Sequence, residues 1–166
     1  MTNKARAEAL FVQADKQEEL GNLRSAFRMM LSAAKLGEVG AQLNVGTYYA
    51  DGKGVRRNVA AALYWYKRAY RRRLSCAASN IGMLWRSENK PDRALRWFFR
   101  AVALGDPEAN LEIGKHYLQN EHNPRKAIPF LNRVTKASWV TEAGREEAAR
   151  LCARAQKALK TRASAR

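Results

Sequence analysis

Apolar residues recur along this chain in two alternating patterns, both with the period of a helix. In the first, a small residue is followed at +1, +3 and +4 by large apolar groups. It occurs as Ala26-Phe27-Arg28-Met29-Met30, Ala62-Leu63-Tyr64-Trp65-Tyr66, Ala94-Leu95-Arg96-Trp97-Phe98 and Ala127-Ile128-Pro129-Phe130-Leu131. Ala33, Ala69, Ala101 and Val134 continue the stripe two turns on. Successive starts are 36, 32 and 33 residues apart, which marks an internal repeat. The second pattern lies between these segments and places apolar residues at 0, +4 and +8 around a glycine. Its copies are Ala41-Val45-Gly46-Tyr49, Ala77-Ile81-Gly82-Trp85 and Ala109-Ile113-Gly114-Tyr117. A mid-helix glycine costs roughly 1 kcal/mol against alanine, so three in register point to a neighbouring helix packed against bare backbone. Fainter copies run from Ala9 to Ala14 and from Ala143 to Ala148.

Punctuation divides the chain the same way. Asp106-Pro107 and Asn123-Pro124 read as N-caps followed by proline in the first turn, and Asn22 and Asn58 as further N-caps. Gly37 and Gly105 read as helix stops. Pro129 falls inside a helical stripe and is expected to bend it. No stretch alternates with period two, so no sheet is expected. The pattern predicts helix pairs and a last helix from about Thr141 to Lys160, with Ala163-Ser164-Ala165-Arg166 frayed.

Residues 38–70 carry a more specific signal. They contain Gly40-Ala41-Gln42-Leu43-Asn44-Val45-Gly46, the loop Gly52-Lys53-Gly54-Val55, and Ala61-Ala62-Leu63-Tyr64-Trp65-Tyr66-Lys67-Arg68-Ala69. This segment resembles a Sel1-like repeat. The other units lack the G-x-G-V loop and are intermediate between Sel1-like and tetratricopeptide repeats. The resemblance covers residues 5–137 and implies an all-α, right-handed α-solenoid of Sel1-like helix pairs. Its units would span about 5–36, 38–73, 74–104 and 106–137, with a capping helix at 141–160, all within a single domain of residues 1–166. It further implies binding of other proteins through a concave face, with no catalysis and no cofactor.

Composition changes the picture mainly through charge. With 46% apolar and 28% charged residues the chain is globular in type. No apolar run reaches the ~18 residues that a membrane span needs. Charge at the N-terminus argues against a signal peptide, and Cys76 and Cys152 are isolated, so a reducing cytoplasmic setting is expected. The net charge is +16. Residues 1–51 are neutral, residues 52–87 hold nine basic and no acidic side chains, and residues 88–166 carry a net +7. The basic side is expected to meet an acidic partner surface.

The search for chemistry returns little. His116 and His122 have no further ligands at metal spacing. Neither cysteine sits in a nucleophile motif, and Gly52-Lys53-Gly54-Val55 lacks the length and preceding strand of a phosphate loop. No metal and no small-molecule substrate are expected, and the reading is not an enzyme.

A partner has two places to sit. If the first helix of each pair lines the inner face, the groove positions include Asp15, Glu18 and Glu19, then Leu43, Asn44, Thr47 and Asp51. Asn80, Met83 and Arg86 follow, then Leu111, Lys115 and Gln119. Apolar anchors among scattered polar groups suit a protein segment. The second place is the basic surface of Arg56, Arg57, Lys67, Arg68, Arg71, Arg72 and Arg73. Lys67/Arg71 and Arg68/Arg72 are like-charge i, i+4 pairs, each unfavourable by roughly 0.2–0.5 kcal/mol. Such a band is either a solvated face or a partner site. The first reading is a module that captures or sequesters one protein, as an immunity-like or antitoxin-like protein or an adaptor. The alternative is nucleic-acid binding through the basic surface, where Tyr64 and Tyr70 interleave with the cations.

Overall fold

A computed structural model of the chain describes residues 2–164. Among the described residues the backbone forms α helices and no strand. In chain order they are α1 (Asn3–Glu19), α2 (Leu23–Lys35), α3 (Val39–Asp51), α4 (Val59–Arg71) and α5 (Ser75–Ser87). They continue as α6 (Pro91–Ala103), α7 (Ala109–Gln119), α8 (Pro124–Lys136) and α9 (Glu142–Ser164). The chain divides into two compact units, Met1–Leu84 and Trp85–Arg166. In the first, α1 packs on α2, α2 on α3 and α3 on α4; in the second, α6 packs on α7, α7 on α8, and α8 on α9, with α7 also touching α9. Packing of consecutive helices in pairs is the all-α solenoid arrangement that the repeat expects.

Several helices stop where the backbone turns left-handed. Gly37 and Gly105 adopt φ 99° and 92°. In each case the amides of that residue and the next fold back on the last turn: Gly37 N–H to Ala34 O and Glu38 N–H to Ala33 O, Gly105 N–H to Val102 O and Asp106 N–H to Ala101 O. The same motif closes α4 at Arg73 (φ 64°) and precedes α6 at Asn89 (φ 54°), where no glycine marks it.

Helix starts are mixed. Asn58 accepts from the Ala61 amide and Asn123 from the Lys126 amide, with Pro124 in the first turn. Asn22 occupies the N-cap position, but its amide donates to Gln17 Oε1 instead of capping. Asp106-Pro107 does not open its helix directly. Asp106 accepts from the Glu108 amide, and tighter Asn110-to-Pro107 and Leu111-to-Glu108 bonds delay α7 to Ala109. Helix α8 continues through exposed Pro129, which lacks the N–H that would bond to the Arg125 carbonyl. Helix α9 runs to Ser164, beyond the expected end; Ala165 and Arg166, expected to fray, lie outside the described residues.

Each unit buries its own core. Ala14, Ala26, Met30, Ala33, Ala41 and Val45 fill the first, with Phe27 edge-on to Tyr49 at 5.2 Å. Leu111, Ala127, Leu131, Val134, Ala148 and Cys152 fill the second. Two of the repeat glycines, Gly46 and Gly114, sit at close helix–helix contacts. A Cβ on Gly46 would lie 2.4 Å from the Tyr66 ring of α4, and one on Gly114 would lie 2.5 Å from Leu131 of α8. Both distances are far inside van der Waals contact, which is why the pattern needs glycine there.

Candidate functional site

In the N-terminal unit the last turn of α1 faces α3 across a cavity of about 290 Å³. Helix α1 contributes Asp15, Glu18 and Glu19, and α3 contributes Asn44, Thr47 and Tyr48. Lys53 closes one side from the loop that follows α3.

That loop is built by its glycines. Gly52 ends α3 at φ 72°, and the Lys53 amide folds back on the Tyr48 carbonyl at 3.0 Å. Gly54, at φ 66°, lies against the start of α2, where a Cβ would come within 2.3 Å of the Leu23 carbonyl oxygen. Only glycine combines that conformation with that approach. The Asn58 amide bonds to the Tyr49 carbonyl at 2.8 Å, and Arg57 Nε donates to the Ala50 carbonyl at 3.0 Å. The result lays Lys53 over the Tyr48 ring, 5.8 Å from its centroid, with its ammonium on Glu18.

Glu18 is the hub of the cavity. Its carboxylate accepts from Lys53 Nζ on one oxygen and from the Tyr48 hydroxyl on the other. The Lys53 bond, and then the Tyr48 bond, hold its carboxyl below the ordinary glutamate range. Burial, followed by the bond to Glu18, pushes the Tyr48 phenol well above its usual value. Asp15 moves the opposite way to Glu18. Burial raises it first, and the neighbouring charges of Glu18, Glu19 and Glu38 add to the rise. Thr47 is engaged within the fold: it accepts from the Tyr66 hydroxyl at 3.1 Å and donates to the Leu43 carbonyl at 3.4 Å. The wall is thus acceptor-rich and negative. Its single lysine is committed to Glu18, while Asp15 and Glu19 have no cationic partner among the described residues. Such a wall favours a cation or a cluster of N–H donors.

Asp15, Glu19, Asn44 and Thr47 therefore come together at one cavity, while other expected groove positions lie elsewhere. Leu43 is half-buried, and Asp51 is exposed at the end of α3, where its charge raises the Tyr66 phenol after burial has done so. Asn80 is half-buried on α5 and Met83 is 41% exposed there. Leu111 is not a groove residue. It packs into the core of the second unit with Leu131 and Val134. Arg86 is turned onto Glu112, and Lys115 is held by Glu112 at 3.3 Å and Glu147 at 2.9 Å, so neither is a spare cation awaiting a partner. Gln119 lines a separate cavity of about 350 Å³ between α7 and α9. The groove pattern includes neither Tyr48 nor Lys53, and Lys53 belongs by sequence to the basic stretch 53–73. Tyr48 falls outside the 0, +4, +8 pattern, and the signal that places Lys53 beside the groove is its position in the G-x-G loop.

On the basic surface, Arg56, Arg57, Lys67, Arg71, Arg72 and Arg73 are exposed. Arg68 is half-buried, with its guanidinium 5.8 Å from the Tyr64 ring centroid and 5.5 Å from that of Trp65, donating to the Tyr64 hydroxyl at 3.0 Å. Arg68 and Arg71 also occupy the last turn of α4, where the helix dipole favours cations. These contacts offset part of the repulsion that the like-charge pairs imply. Among the described residues, no group of three or more His, Cys, Asp or Glu is arranged to hold a metal ion, and no helix is long and apolar enough to cross a membrane.

Residues 17–38, 39–73 and 84–106 match the family model described as Sel1 repeat. Among solved structures, a Sel1 repeat protein from Oxalobacter formigenes is 28% identical with a TM-score of 0.59, over 76% of this chain and 56% of that one. The protective antigen c5321 of uropathogenic Escherichia coli, which displays an SLR fold, is 15% identical with a TM-score of 0.68 over 91% of this chain and 38% of that one. MamA is 16% identical with a TM-score of 0.57, over 95% of this chain and 81% of that one. At these identities the last two bear on the fold alone. The chain spans 56% and 38% of the length of the first two proteins. No curated protein matches it.

Proposed function

We infer that this chain, a member of the Sel1-repeat α-solenoids, captures a single protein partner and performs no catalysis of its own. The Sel1 repeat is a protein–protein interaction scaffold, and the specific reading adds where and how the partner is held. The observation that carries it is the acidic cavity of the N-terminal unit. Asp15 and Glu19 crowd Glu18 there, and Lys53 balances only Glu18. A lysine, an arginine or a row of backbone N–H groups from a partner segment relieves that crowding on binding. The cations from Arg56 to Arg73, all but Arg68 exposed, would meet an acidic patch of the same partner and steer its approach. Sequestration, as by an immunity-like protein, and service as an adaptor are both forms of this reading, set in the cytoplasm.

Nucleic-acid binding is the second reading, favoured by the absence of any acidic residue between positions 52 and 87. Affinity capture from a lysate of the source organism, with and without nuclease, separates the two. One stoichiometric protein that survives nuclease supports the first reading. Recovery of nucleic acid, or of proteins that vanish with nuclease, supports the second and overturns the first.

A further inference from the structure

We propose that the cavity between α7 and α9 takes a short segment of a partner protein in which a large apolar side chain lies beside an aspartate or glutamate. The proposal rests on the protein-binding reading above and adds the chemistry of a recognised segment.

The cavity has an apolar floor and a cationic rim. Leu118, Pro124, Leu151 and Ala155 form the floor, and its volume of about 350 Å³ is within the range of ligand pockets. The space exists because α9 presents alanine at both 155 and 158, one turn apart, where larger side chains would close it. One large apolar side chain entering from a partner would cover Leu118 and Leu151, which are only half-buried in the chain itself.

Charge selects the neighbour of that side chain. Lys115 lies at the rim but is already held by Glu112 and Glu147. The other nearby acid, Glu121, is taken by Lys126 at 2.7 Å. Arg154 also lines the cavity and has no acidic partner among the described residues. It stands one turn from exposed Arg150 and beside exposed Lys157 on α9, with exposed His122 across from it. The committed carboxylates leave a net positive mouth over an apolar floor. A basic segment would be repelled there, and a nucleic-acid backbone would bring nothing to cover the floor. A carboxylate set beside an apolar anchor satisfies both surfaces at once.

Panning a random peptide phage library against the full chain tests this directly. Enriched peptides would be resynthesised with a fluorophore and titrated by anisotropy against three charge or cavity variants. Ala158→Trp fills the cavity from an exposed position, Arg154→Glu reverses the rim, and Lys35→Glu on α2 is the charge-matched control; far-UV circular dichroism confirms that each is folded. The expected result is enrichment of Leu, Phe or Met next to Asp or Glu, with binding weakened about tenfold or more by Ala158→Trp and by Arg154→Glu and unchanged by Lys35→Glu. Absence of enrichment, enriched peptides without an acidic residue, or binding indifferent to both α9 variants would overturn the proposal. So would self-association of the chain that Ala158→Trp abolishes, since the occupant would then be a second copy. If the chain still captures a protein that neither α9 variant releases, this inference fails while the binding reading stands. Capture of no protein at all removes the reading on which it rests.

Discussion

Replacing Gly46 with alanine is the sharpest probe of how the repeat is built. On an exposed helix that change stabilises by about 1 kcal/mol, because alanine is the better helix former. Here the new methyl would lie 2.4 Å and 2.5 Å from the Tyr66 ring carbons Cδ1 and Cε1, where ordinary contact begins at 3.4 Å. The ring must therefore retreat by about 1 Å, the difference between those values. It has no easy route. Tyr66 is only 3% exposed, and its hydroxyl is tied to Thr47 Oγ1 at 3.1 Å, next to Gly46 on the same helix. Overpacking of this kind costs about 1–3 kcal/mol, and loss of the hydroxyl bond adds about 1 kcal/mol. Together these exceed the gain in helix propensity, for a net destabilisation of about 1–3 kcal/mol. Urea unfolding followed by circular dichroism and tryptophan fluorescence measures it. The same substitution in a Tyr66→Ala background, where every side-chain atom beyond Cβ is gone, should be neutral or stabilising, so the double-mutant cycle isolates the contact. A Gly46→Ala variant that gains about 1 kcal/mol in both backgrounds would refute the close-approach argument.

Other substitutions test the site and the helix ends. Glu18→Gln should lower stability at neutral pH by no more than about 1 kcal/mol, since Glu18 and Lys53 are both partly exposed. Because the folded carboxyl of Glu18 titrates below its unfolded value, that stabilisation is present above the unfolded pKa and lost as pH falls through the folded one. The difference between Glu18→Gln and wild type should accordingly vanish in acid urea titrations. Asp15 has the opposite sign: its folded pKa is raised, so ionisation opposes folding, and Asp15→Asn should be neutral or slightly stabilising at neutral pH, with the gain lost on acidification. Arg73→Gly should raise the unfolding midpoint by the equivalent of about 0.5–1 kcal/mol, because a left-handed φ is costly for any residue with a Cβ. Glu112→Gln should destabilise by about 1 kcal/mol in thermal unfolding, since it releases both Arg86 and Lys115.

The helical stripes and mid-helix glycines revealed the fold because packing in a repeat acts at fixed spacing: Ala26, Ala62, Ala94 and Ala127 are all buried, as are Val45, Ile81 and Ile113. Ends were legible where glycine marks them, at 37 and 105, and hidden at Arg73 and Asn89, where the same turn is made by a residue without that signature. The candidate site was only partly readable. Register placed Asp15, Glu19, Asn44 and Thr47 on facing helix surfaces, and they share a cavity. Register did not show that Lys53 would be carried over Glu18, because that depends on Gly54 resting on the Leu23 carbonyl in another helix. Nor did it show that Arg86 and Lys115 would be paired with Glu112 and Glu147, since charge pairing between helices leaves no periodic trace.

The central claim is that a protein is held by the acidic cavity, with the basic band only guiding it in. The direct measurement is the affinity of the captured partner for the wild type, Glu19→Lys, and Arg68→Glu/Arg72→Glu, each at low and at about physiological salt. The expected result is that Glu19→Lys abolishes binding at both salts, while the band variant slows association and matters little once salt screens it. Binding that survives Glu19→Lys but disappears in the band variant, and that falls steeply with salt for the wild type, would contradict the account and make the basic surface the site.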